Sequence, residues 1–153
     1  MQRPELLLVD DDVALLMAIA ENLEEAGFHV ARAASAEISL LLIKEGVPFE
    51  IMVTDVVLPG ALDGFALAHL ARVFLPRLAI IYTTGFVEVA RLRSPGAVYG
   101  DVLAKPYRID ALIMAVRATC AAPRKVLRGS AEPLRSVLGA LPRPGDADVT
   151  GHR

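Results

Sequence analysis

Residues 6–12 read LLLVDDD, an apolar run that ends in three consecutive carboxylates, Asp10, Asp11 and Asp12. A short, uninterrupted apolar run is typical of a strand that is buried on both faces of a sheet. Three acids at the edge of a core repel one another unless a cation lies between them or one of them turns away. The stretch therefore predicts a buried strand with a charged site at its carboxyl end.

Further apolar runs follow along the chain, and stretches with apolar residues at helical spacing separate them. These runs predict strands at residues 50–54, 79–83 and 100–104, and a loose alternation at 28–33 allows a further strand there. A short, weakly patterned helix is expected at 86–93 among the connecting helices. Strands that alternate with helices form parallel sheets, and right-handed crossovers place the helices on both faces. The sequence predicts an α/β fold, a doubly wound five-stranded parallel sheet with helices on both faces.

The length and composition limit the class of protein. A chain of 153 residues is long enough for one ordinary domain and too short for two. No apolar run approaches the roughly 18 residues that span a bilayer, and the first residues do not form a basic and apolar leader. We therefore expect a cytoplasmic protein that does not bind membranes. Cys120 is the only cysteine, so we expect neither a disulfide framework nor a cysteine metal site.

The charge is unevenly distributed. Residues 1–116 hold 9 Lys and Arg against 15 Asp and Glu, whereas residues 117–153 hold 7 against 3. An acidic body argues against a nucleic-acid-binding face on the main domain.

From about residue 123 the alternating pattern gives way to a basic extension that contains Pro and Gly. Apolar residues at 134, 137, 138 and 141 can support one short helix there, but about thirty residues cannot bury a core of their own. We predict one domain at residues 1–122 and a C-terminal extension at 123–153 without an output domain.

Polar side chains follow several of the predicted strands, and sites in doubly wound sheets form at the carboxyl ends of the strands. Carboxylates crowded at one edge suit Mg²⁺, which prefers oxygen ligands. A lysine and a hydroxyl suit a phosphate oxygen, and a carboxylate can serve as the nucleophile that accepts a phosphoryl group. The strand ends hold these groups in the order Asp10, Asp11, Asp55, Thr83, Thr84 and Lys105.

Four segments in this order, LLLVDD, TDVVLPGALDG, YTTG and AKPY, resemble the receiver domain of two-component response regulators. The resemblance covers residues 4 to about 122. It implies the flavodoxin-like receiver fold and a phosphoacceptor protein that takes a phosphoryl group from a histidine kinase or a histidine phosphotransfer protein. It implies no enzymatic turnover beyond slow autodephosphorylation.

The resemblance also implies a role for each matching residue. Asp10 and Asp11 match the acidic pair that binds Mg²⁺, with Asp11 as the direct ligand and Asp10 acting mainly through water. Asp55 matches the phosphoacceptor, which is itself a ligand. The backbone carbonyl of the residue two positions later, Val57, completes the metal site.

Two further residues match those that bind the phosphoryl group. Thr84 matches the hydroxyl residue that moves toward a phosphoryl oxygen, and alternation along the strand allows only one of Thr83 and Thr84 to face the pocket. Lys105 matches the lysine that pairs with the same oxygens. The Lys105–Pro106 bond is expected to be cis, and Gly85 is expected to leave room for a phosphodonor.

The sequence departs from the usual pattern at three places. Position 102, where receivers often carry an aromatic residue that reports phosphorylation, is Val102. The loop at residues 59–64 is one residue longer than the commonest form, as in receivers associated with hybrid kinases. Pro95 interrupts the expected fourth helix.

Two alternative functions remain open at this point. A receiver fold can act as an interaction module that is not phosphorylated, and Val102 mildly favours an altered switch. A phosphohydrolase with an aspartyl nucleophile commonly has a second Asp two residues later, where this chain has Val57. Phe86 is also apolar, so neither position offers an obvious group to orient an attacking water. We therefore expect a long-lived phosphoryl group on Asp55.

The resemblance also indicates where partners bind. We expect the phosphodonor to dock on the first helix, through Leu15 and Leu16, and on the loop through Pro106 and Tyr107. The sequence leaves the downstream protein target open and allows a homodimer. Asp12 is expected to cap the first helix rather than to bind metal.

Overall fold

The structure, a computed structural model, describes residues 3–85 and 99–122. Strands and helices alternate along these ranges, and each predicted strand is present with bounds that differ by at most two residues. The predicted helix at 86–93, with Phe86 and Pro95, and the extension from residue 123 onward lie outside the described residues. The elements are β1 Glu5–Val9, α1 Val13–Glu25, β2 His29–Ala33, α2 Ala36–Lys44, β3 Ile51–Asp55, α3 Gly64–Phe74, β4 Ala79–Thr84, β5 Val102–Ala104 and α4 Ile109–Ala121.

The five strands form one parallel sheet in the order β2-β1-β3-β4-β5. This order confirms the prediction of a doubly wound α/β fold. The chain moves outward in one direction from β1 to β2 and in the other direction from β3 to β5, so the direction changes between β1 and β3. A crevice for ligands opens at such a point, at the carboxyl ends of the strands.

The sheet is covered on both faces, which explains why its central strands β1, β3 and β4 are rich in consecutive apolar residues. Leu7 and Val9 of β1 belong to one buried cluster, which includes α2 and α3. Leu6 and Leu8 belong to the other cluster, which includes α1 and α4. The alternation of neighbouring residues between the two clusters is the two-residue period of a strand.

Three helices begin at side chains that cap them. The Oδ1 of Asp12 accepts a hydrogen bond from the Leu15 backbone N–H at 3.1 Å. Ser35 and Asp63 cap α2 and α3 in the same way. Each cap satisfies a backbone N–H that has no partner within its helix. The prediction that Asp12 starts a helix is confirmed, and the third carboxylate of LLLVDDD is engaged there.

Gly64, the first residue of α3, lies against the backbone of Asp55. A Cβ atom at this position would overlap the Asp55 carbonyl oxygen and would crowd the Val56 Cα at 2.9 Å. The Gly64 N–H also donates to the Val56 carbonyl at 2.8 Å, so the two segments cannot separate without losing that bond. The close approach holds the carboxyl end of β3 against the start of α3.

We expect Gly64→Ala to lower the free energy of unfolding by about 1–3 kcal/mol or more, because the added methyl group forces two backbone segments apart. Denaturant unfolding followed by circular dichroism measures this loss. Gly85→Ala is the matched control, since nothing lies within 4 Å of a Cβ at that position. Equal stability of the two variants would contradict the prediction.

Candidate functional site

Three carboxylates meet at the crevice between β1 and β3. Asp10 and Asp11 follow β1, and Asp55 ends β3, the neighbouring strand in the sheet. One oxygen from each side chain lies within 4.8 Å of the other two. Asp10 and Asp55 are buried and Asp11 is exposed, so the cluster has a protein side and a solvent side. The predicted convergence of these residues is confirmed.

Lys105 links the two buried acids. Its Nζ lies 3.0 Å from Asp10 Oδ2 and 3.0 Å from Asp55 Oδ2. The residue follows β5, and the Lys105–Pro106 peptide bond is cis, as predicted. The ammonium group therefore offsets part of the repulsion between the two carboxylates.

The second oxygen of each acid also has a backbone donor. Asp10 Oδ1 accepts a hydrogen bond from the Asp12 N–H at 2.9 Å, so both oxygens of Asp10 are engaged. Asp55 Oδ1 accepts a longer bond from the Val57 N–H at 3.4 Å. Asp10 is thus held more firmly than Asp55, whose Oδ1 keeps the weaker of the two backbone bonds.

Burial and charge act in opposite directions on these groups. Burial raises the pKa of the Asp55 carboxyl above its usual range, and the lowering by Lys105 does not fully offset this effect. Burial also opposes the charge of Lys105, but the hydrogen bonds that its ammonium donates to Asp55 and Asp10 outweigh this effect and raise the pKa of that ammonium. Lys105 therefore stays protonated, and the ionised form of Asp55 is at a disadvantage that a cation would relieve.

The donor set fits Mg²⁺. Three carboxylate oxygens converge within a few ångströms, one of them on the solvent side, where the ion can keep several waters. The site contains the hard oxygen ligands that this ion prefers, and Asp10, Asp11 and Asp55 would hold it. Val57 was also predicted as a carbonyl ligand; its side chain is exposed, and its role as a ligand stays a prediction.

Thr83 and Thr84 both lie at the end of β4, and both are buried. Thr83 is opposite Asp55 in the strand register. Thr84 is opposite Ala104, and its carbonyl accepts a hydrogen bond from the Lys105 N–H at 2.9 Å. The backbone of Thr83 thus lies beside Asp55, and the backbone of Thr84 is hydrogen-bonded to Lys105. The assignment of the hydroxyl role to Thr84 stays a prediction.

A cluster of aromatic residues lies on the face of the sheet that α2 and α3 cover, and sequence reasoning missed it. The Tyr82 hydroxyl accepts a hydrogen bond from the Tyr99 N–H at 3.2 Å, and the Tyr99 hydroxyl lies 2.6 Å from His69 Nδ1. Tyr82 is fully buried, and its ring lies 4.8 Å from that of Phe65. Val102 packs half-buried against the same core cluster. Two tyrosines from β4 and from the approach to β5 therefore occupy the region beside position 102.

The predicted docking surface is partly corrected by the structure. Leu15, Pro106 and Tyr107 line a groove of about 350 Å³ beside Lys105. Leu16, by contrast, is only 3% exposed and packs in the core, because it lies on the sheet-facing side of α1. The helical turn between positions 15 and 16, about 100°, decides which of the two side chains reaches the surface.

The doubly wound sheet carries an acidic cluster and a lysine at the carboxyl ends of its strands, the edge at which α/β domains of this kind bind their ligands. The family model described as response regulator receiver domain matches residues 6–117. The chain belongs to this family, whose members serve two-component signal transduction. Its fold is the flavodoxin-like receiver fold.

Individual relatives agree with this assignment. The chain is 33% identical to the response regulator receiver protein CpdR of Brucella abortus over 71% of its length and 89% of that protein. It is 36% identical to the transcriptional regulatory protein AfsQ1 of Streptomyces coelicolor over 74% of its length, but it spans only 51% of that longer protein. A solved receiver protein from Sinorhizobium medicae is 29% identical with a TM-score of 0.69, and the alignment covers 79% of this chain and 97% of that one.

The structure also bears on the expectation about membranes. Among residues 3–85 and 99–122, no helix is both long and apolar enough to span a bilayer.

Proposed function

We propose that this chain is the phosphoacceptor of a two-component phosphorelay, in which Asp55 takes a phosphoryl group from a phosphohistidine donor with the aid of Mg²⁺. The observation that carries the proposal is the position of the Asp55 carboxylate. It lies 3.0 Å from the Lys105 ammonium and within one cluster with Asp10 and Asp11. A nucleophilic oxygen, a fixed cation and a set of metal ligands are therefore adjacent.

Each side chain has a distinct task in this reaction. An oxygen of Asp55 attacks phosphorus while the bond from phosphorus to the donor histidine nitrogen breaks, and the histidine keeps the electron pair. Bound Mg²⁺ would neutralise charge on the phosphoryl oxygens. Lys105 is already protonated and can pass from the Asp55 oxygen to a phosphoryl oxygen while it keeps its bond to Asp10. Such positioning and charge neutralisation are most of what phosphoryl transfer requires.

The experiment that tests the proposal is intact-mass analysis after incubation with Mg²⁺ and a small phosphodonor. We expect a gain of one phosphoryl group, which is absent when a chelator replaces Mg²⁺. The same sample after alkaline treatment should return to its original mass, since an acyl phosphate is labile to base. The absence of a mass gain with several small donors and with a phosphohistidine protein would favour the interaction module instead.

Thr84 is proposed to donate a hydrogen bond to the phosphoryl group once it is on Asp55. We expect Thr84→Val to slow phosphoryl gain by about tenfold or more, because a hydrogen bond to a charged group contributes roughly 1.5–3 kcal/mol. Thr83→Val is the matched control, since it removes the same hydroxyl from the neighbouring buried position. Initial rates of mass gain measure both, and a larger loss in Thr83→Val would transfer the role to Thr83.

The phosphoryl group on Asp55 is expected to be long-lived. Two residues after the nucleophile stands exposed Val57, whose side chain cannot act as a general acid or orient water. The rate of phosphoryl loss after removal of the donor should approach that of the same acyl phosphate in urea-unfolded chain. A much faster loss in the folded protein would support the phosphohydrolase alternative.

The donor is proposed to be a histidine kinase or a histidine phosphotransfer protein, as is general for receiver domains. The half-exposed Leu15, with Pro106 and Tyr107, offers apolar contacts directly beside Lys105, which suits a protein donor rather than a small metabolite. We place this exchange in the cytoplasm, with a separate protein as the downstream target and without nucleic acid. A homodimer is compatible with this proposal.

A further inference from the structure

An apolar groove lies between α1 and the start of α4, and the residues of α1 that line it recur at helical spacing. Leu15, Ala18, Ile19 and Asn22 line one wall, at positions that repeat along one side of α1. Pro106, Tyr107 and Ile109 form the opposite wall, with Lys105 at one end. Leu15 is 37% exposed although its neighbour Leu16 is buried. A surface of this shape suits another set of apolar side chains at helical spacing.

The chain itself contains such a set in the C-terminal extension. Leu134, Val137, Leu138 and Leu141 repeat with the same spacing as the four residues of α1 that line the groove. Seven residues separate the first from the last in both sets, which is about 10 Å along a helix. The two patterns therefore have matching lengths.

The helix that precedes the extension ends beside α1, which forms one wall of the groove. α4 ends at Ala121, and Arg117 in its last turns donates to the Ala26 carbonyl beyond the end of α1 at 3.1 Å. The carboxyl ends of α1 and α4 are therefore adjacent. The eleven residues at 123–133 can span up to about 35 Å, more than the length of either helix. The extension can reach the whole groove without strain.

Charge favours the same orientation. Glu21 and Glu25 are exposed near the end of α1, whose last turn itself contains no basic residue, so two exposed carboxylates lie on this part of the surface. The first part of the extension carries Arg124, Lys125 and Arg128, and the apolar set at 134–141 comes later. Basic side chains would thus lie beside Glu21 and Glu25, and the apolar set would continue along the groove toward Lys105.

We propose that residues 134–141 dock into the groove between α1 and the 105–109 segment of the same chain. In that position the segment would cover the apolar side chains of Leu15 and Tyr107.

The test uses the full chain with a single reporter cysteine in a Cys120→Ser background. Asn22→Cys places the thiol in the groove, and the Asn22 amide bonds only to Ala18 of its own helix among the described contacts. Glu21→Cys, one residue away on α1 and outside the groove lining, is the matched control. A small thiol reagent should modify position 22 about tenfold more slowly than position 21, since a tethered segment binds at millimolar effective concentration.

A second pair of variants identifies the segment that protects position 22. Leu138→Asp should bring the two labelling rates to within about twofold, because a buried charge abolishes docking, whereas Val149→Asp should leave the difference intact. Equal rates in the unaltered extension, or protection that survives Leu138→Asp, would overturn the proposal. Protection that rises with protein concentration would also overturn it, since a second copy would then be the occupant. None of these measurements requires phosphorylation.

Discussion

Asp55→Asn is expected to abolish phosphoryl gain in the presence of Mg²⁺ and a small phosphodonor. An amide oxygen is a poor nucleophile for phosphorus, and the substitution also removes one of the three carboxylates from the cluster. Intact-mass analysis measures the phosphoryl gain, and calorimetric titration with Mg²⁺ measures the loss of affinity. Both losses should appear in the same variant, because one carboxylate serves both purposes.

The fold should survive this substitution. Burial already disfavours the ionised carboxylate at this position, and the amide oxygen of Asn can still accept the hydrogen bond from Lys105. The midpoint of thermal unfolding should therefore be equal to or above that of the wild type. Asp12→Asn is the matched control, since Asn caps a helix as well as Asp and position 12 is outside the cluster. A phosphorylated Asp55→Asn protein, or loss in Asp12→Asn of similar size, would contradict the assignment.

Lys105→Met is expected to change phosphorylation and Mg²⁺ binding in opposite directions. The methionine keeps the length of the side chain but removes the cation that contacts Asp10 and Asp55. Phosphoryl gain should fall by about 10²–10³-fold, the usual cost of one charged group that stabilises a transition state. Mg²⁺ affinity should rise by about tenfold or more, because a neighbouring positive charge no longer repels the ion.

The stability of this variant should depend on the ion. Without Mg²⁺, two buried carboxylates lose their partner, at a cost of up to about 3–5 kcal/mol. Saturating Mg²⁺ should restore most of that loss, since the ion replaces the missing charge. Denaturant unfolding with and without Mg²⁺ separates the two cases. Lys44→Met, which removes a lysine near Phe74 and away from the site, is the control and should show neither effect. A drop in Mg²⁺ affinity in Lys105→Met would contradict this account of the pocket.

Much of the fold followed from the sequence because the central strands β1, β3 and β4 are buried on both faces. Such strands appear as continuous apolar runs, and LLLV at residues 6–9 is one of them. The same reasoning located the acidic cluster, since parallel strands that are neighbours deliver their last residues to one edge. Asp10 and Asp55 are 45 positions apart, yet their strands pair in register at Val9 and Thr54.

Other features depended on contacts that no local pattern encodes. The hydrogen bond between His69 and Tyr99 joins residues 30 positions apart, on different elements, and neither residue stands at a strand end. Leu15 and Leu16 are chemically identical, and only the rotation of α1 against the sheet determines which one is exposed. Thr83 and Thr84 are likewise chemically identical and both buried, so the sequence does not determine which hydroxyl binds the phosphoryl group.

The strand order has a consequence for how the protein and its ion depend on each other. β1 and β3 are neighbours in the sheet although a complete strand and two helices separate them in the chain. An unfolded chain therefore has no binding site at all, since nothing holds the two halves of the acidic cluster together. Any ion bound there belongs to the native state alone and adds its binding energy to the stability of the sheet. An ion in this crevice would thus also hold the two central strands together.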